Sequence, residues 1–376
     1  MNKHVILQLI LSNRYLRNYY IKYKEKKGSF INIEKIELSS ANKVLLTKQL
    51  SNIILVGLVK DGETSIEGYI RPRAYYPKYE RFLQNNNIKY EYFDIHSHTW
   101  IEHAKRYNVV VWHPESSPSA QIEARQKIFV LEQLGIKCFP SFKEVFKCED
   151  KVEMHYFYKT NNLPEIPTFV SNSKNDAILF ANNTKYPIVS KITTSSSSYG
   201  VRLLKTKQQT IKLINEVFSP TGKKTHWKYI SQKDYVYFQN FIDDAEFDLR
   251  VIVVGNSLFG YYRYANKGDF RASGAGHYEK KAIPVTALDL AWSTYLAFGS
   301  PPSLATDFVF SPKENKYFII ESSIFIGVDT EIQLKVNNIP GRYIREEESL
   351  YTFNEGKYWI QELALNKFFE SNEFHV

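Results

Sequence analysis

Cysteine is scarce: the 376 residues contain two, Cys138 and Cys148. That excludes a disulfide framework, and a reduced pair in the cytosol is the expected state. Long apolar runs are missing too. None reaches the ~18 residues that a membrane-spanning helix needs. The stretch Val5–Leu11 is short, and residues 12–17 offer no small-residue cleavage site. The chain therefore reads as soluble and cytoplasmic. Neither a G-x-x-x-x-G-K-[ST] phosphate loop nor a G-x-S-x-G nucleophile elbow occurs. Internal repeats are absent, and low complexity is confined to residues 193–198. Acidic residues are in deficit, 40 against 49 basic ones, for a net charge of +9. Most of that excess is local. Residues 1–30 carry Lys3, Arg14, Arg17, Lys22, Lys24, Lys26 and Lys27 against Glu25 alone, so residues 31–376 hold only +3. A general nucleic-acid surface is not supported. The basic segment reads as a Tyr-rich helix ending near Gly28. It is either a solvated helix packed on the body or an arm for a partner or for the inner face of an anionic membrane.

What is present is globular: 43% apolar and 24% charged residues. From Pro77 to Phe139 helices and strands alternate, after an earlier apolar run at Ile53–Val59. Ile53–Val59, Tyr90–Phe93, Asn108–Trp112 and Ile136–Phe139 read as strands. Pro77–Asn86, Trp100–Tyr107 and Ser117–Gly135 read as helices. The nearly all-apolar run Asn108–Trp112 suits a parallel strand buried on both faces. The rhythm predicts an open, mostly parallel α/β sheet. After a helix over Lys147–Thr160, Ile166–Phe169 leads into a second unit, with strands at Ile188–Lys191 and Val201–Leu204 and helices near Asp176–Asn182 and Gln208–Phe218. After Tyr235 the pattern turns to antiparallel strands joined at Gly255-Asn256 and Lys313–Asn315.

Several constellations bear chemistry. Asp94-Ile95-His96-Ser97-His98 matches a D-x-H-x-H metal pattern, and alternation puts His96 and His98 on one face. A hydrolase built on them needs further ligands on later strands, which the sequence does not supply. Surface histidines are the plainer reading. A three-residue loop at Lys313–Asn315 sets Asp307 directly opposite Glu321, with Ser323, Val309 and Ile319 on the same face. Two adjacent carboxylates repel unless a cation lies between them, and hard oxygen ligands suit Mg²⁺. Lys191 ends an apolar strand and precedes a hydroxyl-rich loop able to cover phosphate oxygens. A two-residue hairpin places Asp248 opposite Arg263, a plain cross-strand ion pair, and Arg250 opposite Tyr261. The loop Lys267–Gly276 is glycine-rich and charged, and its Arg271 suits an anionic group.

In this order the elements resemble the ATP-grasp superfamily, in particular ribosomal-protein glutamate ligases and related carboxylate–amine ligases. The resemblance covers residues 151–323. It implies an N-terminal α/β domain followed by a two-lobed ATP-grasp fold, with a lid and an antiparallel C-terminal lobe. The expected divisions are 1–30, 31–146, 147–237 and 238–376. The resemblance further implies that Lys151 and Lys191 contact ATP phosphates and that Ser197 belongs to the loop covering them. Gln239, Asn240, Phe241 and Ile242 would form the adenine hinge, and Asp248 would sit in the nucleotide pocket. Arg271 would face the transferring phosphoryl group, and Asp307, Glu321 and Ser323 would hold Mg²⁺. Asn240 stands where the family usually has Glu, and Ser323 where it has Asn. The implied activity joins the carboxylate of a small molecule, peptide or glycan to an amine through an acylphosphate. Nucleotide binding without turnover, and the hydrolase of His96 and His98, are the alternatives.

Overall fold

The structure, a computed structural model, describes residues 3–374 except 37, 49–53, 65, 148–149, 195–199, 228, 327 and 329. Ser197 and Cys148 lie outside the described residues, whereas Cys138 is buried. The basic N-terminal segment forms two helices, Lys3–Ser12 and Arg14–Lys26. The break falls at Asn13, whose side chain accepts from the N–H groups of Tyr15 and Leu16 and so starts the second helix. No helix among the described residues is long and apolar enough to cross a membrane.

The first sheet is parallel, in the order Lys89–Tyr92, Leu55–Leu58, Val109–Val111, Lys137–Phe139. Val109, Val110 and Val111 are all buried, as expected for a strand covered on both faces. Helix Tyr76–Asn85 covers one face and helix Pro118–Gln133, capped by Ser117, the other. The helix expected over Lys147–Thr160 runs over Lys151–Thr160, and a separate short helix, Phe142–Lys147, comes before it. Asp150 starts the second, accepting from the N–H groups of Val152 and Glu153.

A second, antiparallel sheet runs Thr168–Ser171, Val236–Asn240, Ile188–Ser190, Arg202–Leu204. Helices Lys174–Asn183 and Lys207–Val217 pack on one face, with Ala177, Ala181 and Ile214 against Ile188, Val236 and Phe238. The other face is left for the site.

The largest sheet is antiparallel and centres on Asp248–Val254. Leu304–Ser311 and then Lys316–Ser323 lie on one side of it; Ser257–Tyr264 and then Ile339–Glu347 lie on the other. Alternation gives it two apolar faces. Leu249, Val251 and Val253 join helix Val285–Ala297 and Met154, whereas Ile252 and Val254 join the core of the parallel sheet. Gly260 permits this packing, since a Cβ there would lie 2.4 Å from the Arg250 carbonyl oxygen. Helices Val285–Ala297 and Ile360–Ser371 were not expected from the sequence. The latter packs on helix Tyr76–Asn85, with Phe82 and Phe369 stacked at 6.1 Å. The open parallel α/β domain, the lid sheet and the antiparallel lobe together make the expected mixed α/β, two-lobed fold.

Candidate active site: a cleft with an apolar end and a charged end

Between the lid sheet and the large sheet lies a cleft of about 230 Å³. Ile166, Val189, Val201, Ile242, Val309 and Ile320 form its apolar end. Ile166, Val309 and Phe318 make a small core of their own there, with Ile242 and Ile320 against it. Lys151, Lys191, Asp248, Arg263, Asp307 and Glu321 form the charged end. Gln239, Asn240, Phe241, Ile242 and Arg271 also line this cleft. Gln239 is fixed by donating to the Thr168 hydroxyl at 3.0 Å, and the Asn240 N–H donates to the Pro167 carbonyl at 2.9 Å.

Two lysines converge because two backbone segments are tied together. The Lys151 N–H, at the start of its helix, donates to the Thr193 carbonyl at 2.9 Å, just past the lid strand that ends beside Lys191. Both side chains are buried. Lys151 Nζ stands 3.4 Å from Glu321. Burial pushes the Lys191 ammonium down to about 8; Glu321 opposes this shift and Lys151 adds to it.

Asp307 and Glu321 are cross-strand partners, as the sequence suggested, but by a different route. The hairpin closes around one residue more, with Ser311 opposite Lys316 across a four-residue loop. A bulge after Asp307 then absorbs one residue and restores the pair. On the second strand the side chains between bulge and turn are flipped relative to expectation, whereas Val309 keeps its expected place on the face of Asp307. Ile319 pairs with Phe308 and is buried in the core on the far face, while Phe318 pairs with Val309.

Asp307 is the centre of an ion-pair network. Arg250 grips it with two nitrogens, at 2.6 and 2.8 Å, and Arg263 reaches it at 2.7 Å while also contacting Asp248 at 3.3 Å. Burial alone would raise the Asp307 carboxyl, but the two guanidiniums prevail and hold it well below the usual range. Asp248, with the weaker Arg263 contact, is driven the other way: burial lifts it to about 6. Sequence reasoning missed the role of Arg263. Its pairing with Asp248 was legible, but its reach to Asp307 requires the next strand, on which Arg250 lies opposite Asp307.

Arg271 lies on the loop between Ser257–Tyr264 and His277–Glu279, half exposed and held by Asp269 at 2.8 Å. Its hydrogen bonds lower the Asp269 carboxyl to about 2. Ser323 lies instead in an adjoining cleft of about 510 Å³, which shares Lys151, Glu321, Arg263 and Ser273 with the first. The Ser323 hydroxyl accepts from the Phe325 N–H at 3.0 Å. Arg71 and Arg73, from the parallel-sheet domain, line this second cleft, and sequence reasoning did not find them.

The donor set is oxygen-only, the kind that suits Mg²⁺. Asp307 Oδ1 accepts from Arg250 and keeps a lone pair, and Glu321 pairs with Lys151 at 3.4 Å. Yet Lys151, Lys191, Arg250 and Arg263 outnumber Asp248, Asp307 and Glu321. No group of three or more His, Cys, Asp or Glu side chains poised to hold a metal ion is found among the described residues. Such a field admits a divalent cation in company with phosphate oxygens rather than alone. His96 stands apart on the surface, its Nδ1 2.8 Å from Glu123.

A family profile described as a RimK-like ATP-grasp domain matches residues 148–285. The α-aminoadipate–LysW ligase LysX of Saccharolobus solfataricus is 27% identical over 148 residues, 39% of this chain. That match spans 50% of the length of LysX. Among solved structures, D-cycloserine synthetase DcsG aligns with a TM-score of 0.52 at 14% identity, over 72% of this chain and 91% of that one. D-alanine–D-alanine ligase from Bacillus anthracis aligns at 0.50 and 15% identity, over 73% and 88%. Residues 148–285 thus match the RimK-like ATP-grasp domain family.

Proposed function

We propose that this protein is an ATP-dependent carboxylate–amine ligase. The observation that carries the reading is the division of one cleft into an apolar slot and an end lined by two lysines and a carboxylate pair. A nucleotide has the matching halves, a flat ring and a polyphosphate. The ring lies among Ile166, Val189, Val309 and the hinge 239–242, and Lys151 and Lys191 neutralise the phosphates. Mg²⁺, held by Asp307 and Glu321 when bound, supplies further charge neutralisation at the transferring group. Ser323, which lines the adjoining cleft with Glu321, would add an oxygen.

The acid and the amine occupy the second cleft, whose volume suits a small molecule or the end of a peptide or glycan. Arg71 and Arg73 orient the acid. One of its carboxylate oxygens attacks the γ-phosphorus as the bond to the β–γ bridging oxygen breaks, giving an acylphosphate and ADP. Lys191 stabilises the charge on the departing phosphate chain, and Arg271 that on the transferring group. The amine nitrogen then attacks the acyl carbon, phosphate leaves, and the nitrogen loses its proton to phosphate or water. Closure of the lid keeps water from the acylphosphate.

The test is ADP release with Mg²⁺ across a panel of acids and amines. One acid–amine pair should stimulate release, and Glu321→Ala should abolish it. Tight ATP binding with no stimulation by any pair would replace ligation with nucleotide binding alone, the reading that Ser323 in place of a carboxamide favours. Once a pair is known, Arg73→Ala should raise the KM for the acid by ~10-fold or more with kcat little changed, the mark of lost substrate binding.

A further inference from the structure

The helix Arg14–Lys26 buries none of its residues. Tyr15 is 86% exposed, Tyr19 74% and Tyr23 50%, and their four-residue spacing sets them in one stripe along the helix. Leu16 flanks the stripe at 51% exposure, and Ile6 and Leu9 of the preceding helix are exposed as well. A different side of the helix is the one that docks. There Tyr20 meets Phe30 edge to face at 6.1 Å, and Lys24 lies over both rings. The polar circumference carries Arg14 and Arg17, Lys22 borders the stripe beside Tyr15, and Lys26 falls within it.

We propose that this helical pair is an interfacial anchor that lies on an anionic lipid surface, with the Tyr15–Tyr19–Tyr23 stripe at the headgroup level. An occupant of this face must cover aromatic rings and also meet a segment of charge +6. A negatively charged membrane interface does both: tyrosines partition to the headgroup region, and lysines and arginines flanking them meet lipid phosphates. A second copy of this chain would cover the rings but set +6 against +6. The anchor is independent of the nucleotide cleft and does not rest on the proposed ligase activity.

Sedimentation of the full chain with vesicles tests it. Phosphatidylcholine vesicles containing phosphatidylglycerol should bind at least ~10-fold more protein than phosphatidylcholine alone, and added salt should release it. The triple variant Tyr15→Ser, Tyr19→Ser, Tyr23→Ser should lose most of that binding while its thermal melt stays in place, because these side chains contribute nothing to a core. A second variant, Arg14→Gln, Arg17→Gln, Lys22→Gln, Lys26→Gln, should lose the preference for anionic vesicles. A full chain that stays in the supernatant with anionic vesicles overturns the proposal. So does tyrosine-dependent dimerisation by light scattering without vesicle binding, which would assign the stripe to a second copy. Undiminished binding by the tyrosine variant would overturn the role of the stripe.

Discussion

Asp307→Asn is expected to destabilise the protein by about 3–5 kcal/mol, the range for breaking a buried ion pair from one side. Arg250 and Arg263 would be left in place, both largely buried, with only the 3.3 Å contact to Asp248 remaining. Asp248→Asn should cost far less, although both carboxylates touch Arg263. Burial has already lifted Asp248 to about 6, so its charged form is poorly supported. The two should also differ in their dependence on pH. Asp307 binds its proton less readily folded than unfolded, so its contribution is present at neutral pH and fades only in acid, below the ordinary Asp range. Asp248 binds its proton more readily folded than unfolded. Its contribution is full below about pH 4 and is lost as the pH rises through about 6, and Asp248→Asn should remove that slope. Urea denaturation of the three proteins between pH 2 and 8 measures both effects. Equal losses for the two variants would mean that Arg250 and Arg263 do not depend on Asp307.

ATP affinity is expected to fall as the pH rises through 8, because the Lys191 ammonium, which in the proposed reading would face the phosphates, loses its proton near there. With only the charged form competent, the apparent Kd at pH 9 should be about tenfold weaker than at pH 7. Lys191→Met should flatten that profile. It should also weaken binding at pH 7 by ~30-fold or more, the lower end of the loss for a buried charge contact, and ADP formation should stop with it. The neighbouring Lys151 remains in this variant as a cation beside Glu321. A slope that persists in Lys191→Met would assign the titration to another group. Calorimetry in two buffers of different ionisation enthalpy adds an independent reading: wild-type binding should take up a proton above pH 8, and the variant should not.

The fold was legible where its periodicities were clean. Val109–Val111 could be read as a doubly covered strand because nothing in it is polar. The pair Asp248–Arg263 followed from a two-residue turn. The pairing of Asp307 with Glu321 was reached through a loop one residue too short, and an unforeseen bulge cancelled that error. Bulges answer to the curvature of the whole sheet, so local sequence does not announce them. The two missed helices have a different cause. Ile360–Ser371 is buried from Ile360 through Leu365 and again at Phe368 and Phe369, so it lacks the single apolar stripe by which a helix is recognised. Val285–Ala297 is similarly apolar around most of its surface. At the site, residues that share a strand or hairpin could be placed from sequence. Arg263 on Asp307, and Arg71 and Arg73 lining the second cleft together with Ser323, depend on neighbours that only the assembled chain brings together.

The packing of helix Ile360–Ser371 also bears on how the molecule is made. Phe368 and Phe369 belong to the same apolar cluster as Val56, Leu58, Phe82 and Val111 of the parallel sheet. Domains generally fold in order as they emerge from the ribosome. Here the first sheet waits for residues some 300 positions downstream before its core is closed. Phe82, which stacks on Phe369, stays uncovered while the lid and the large sheet are being synthesised. The second cleft is walled by that sheet's loops on one side and by the large sheet on the other, so it takes its final shape late in the life of the nascent chain.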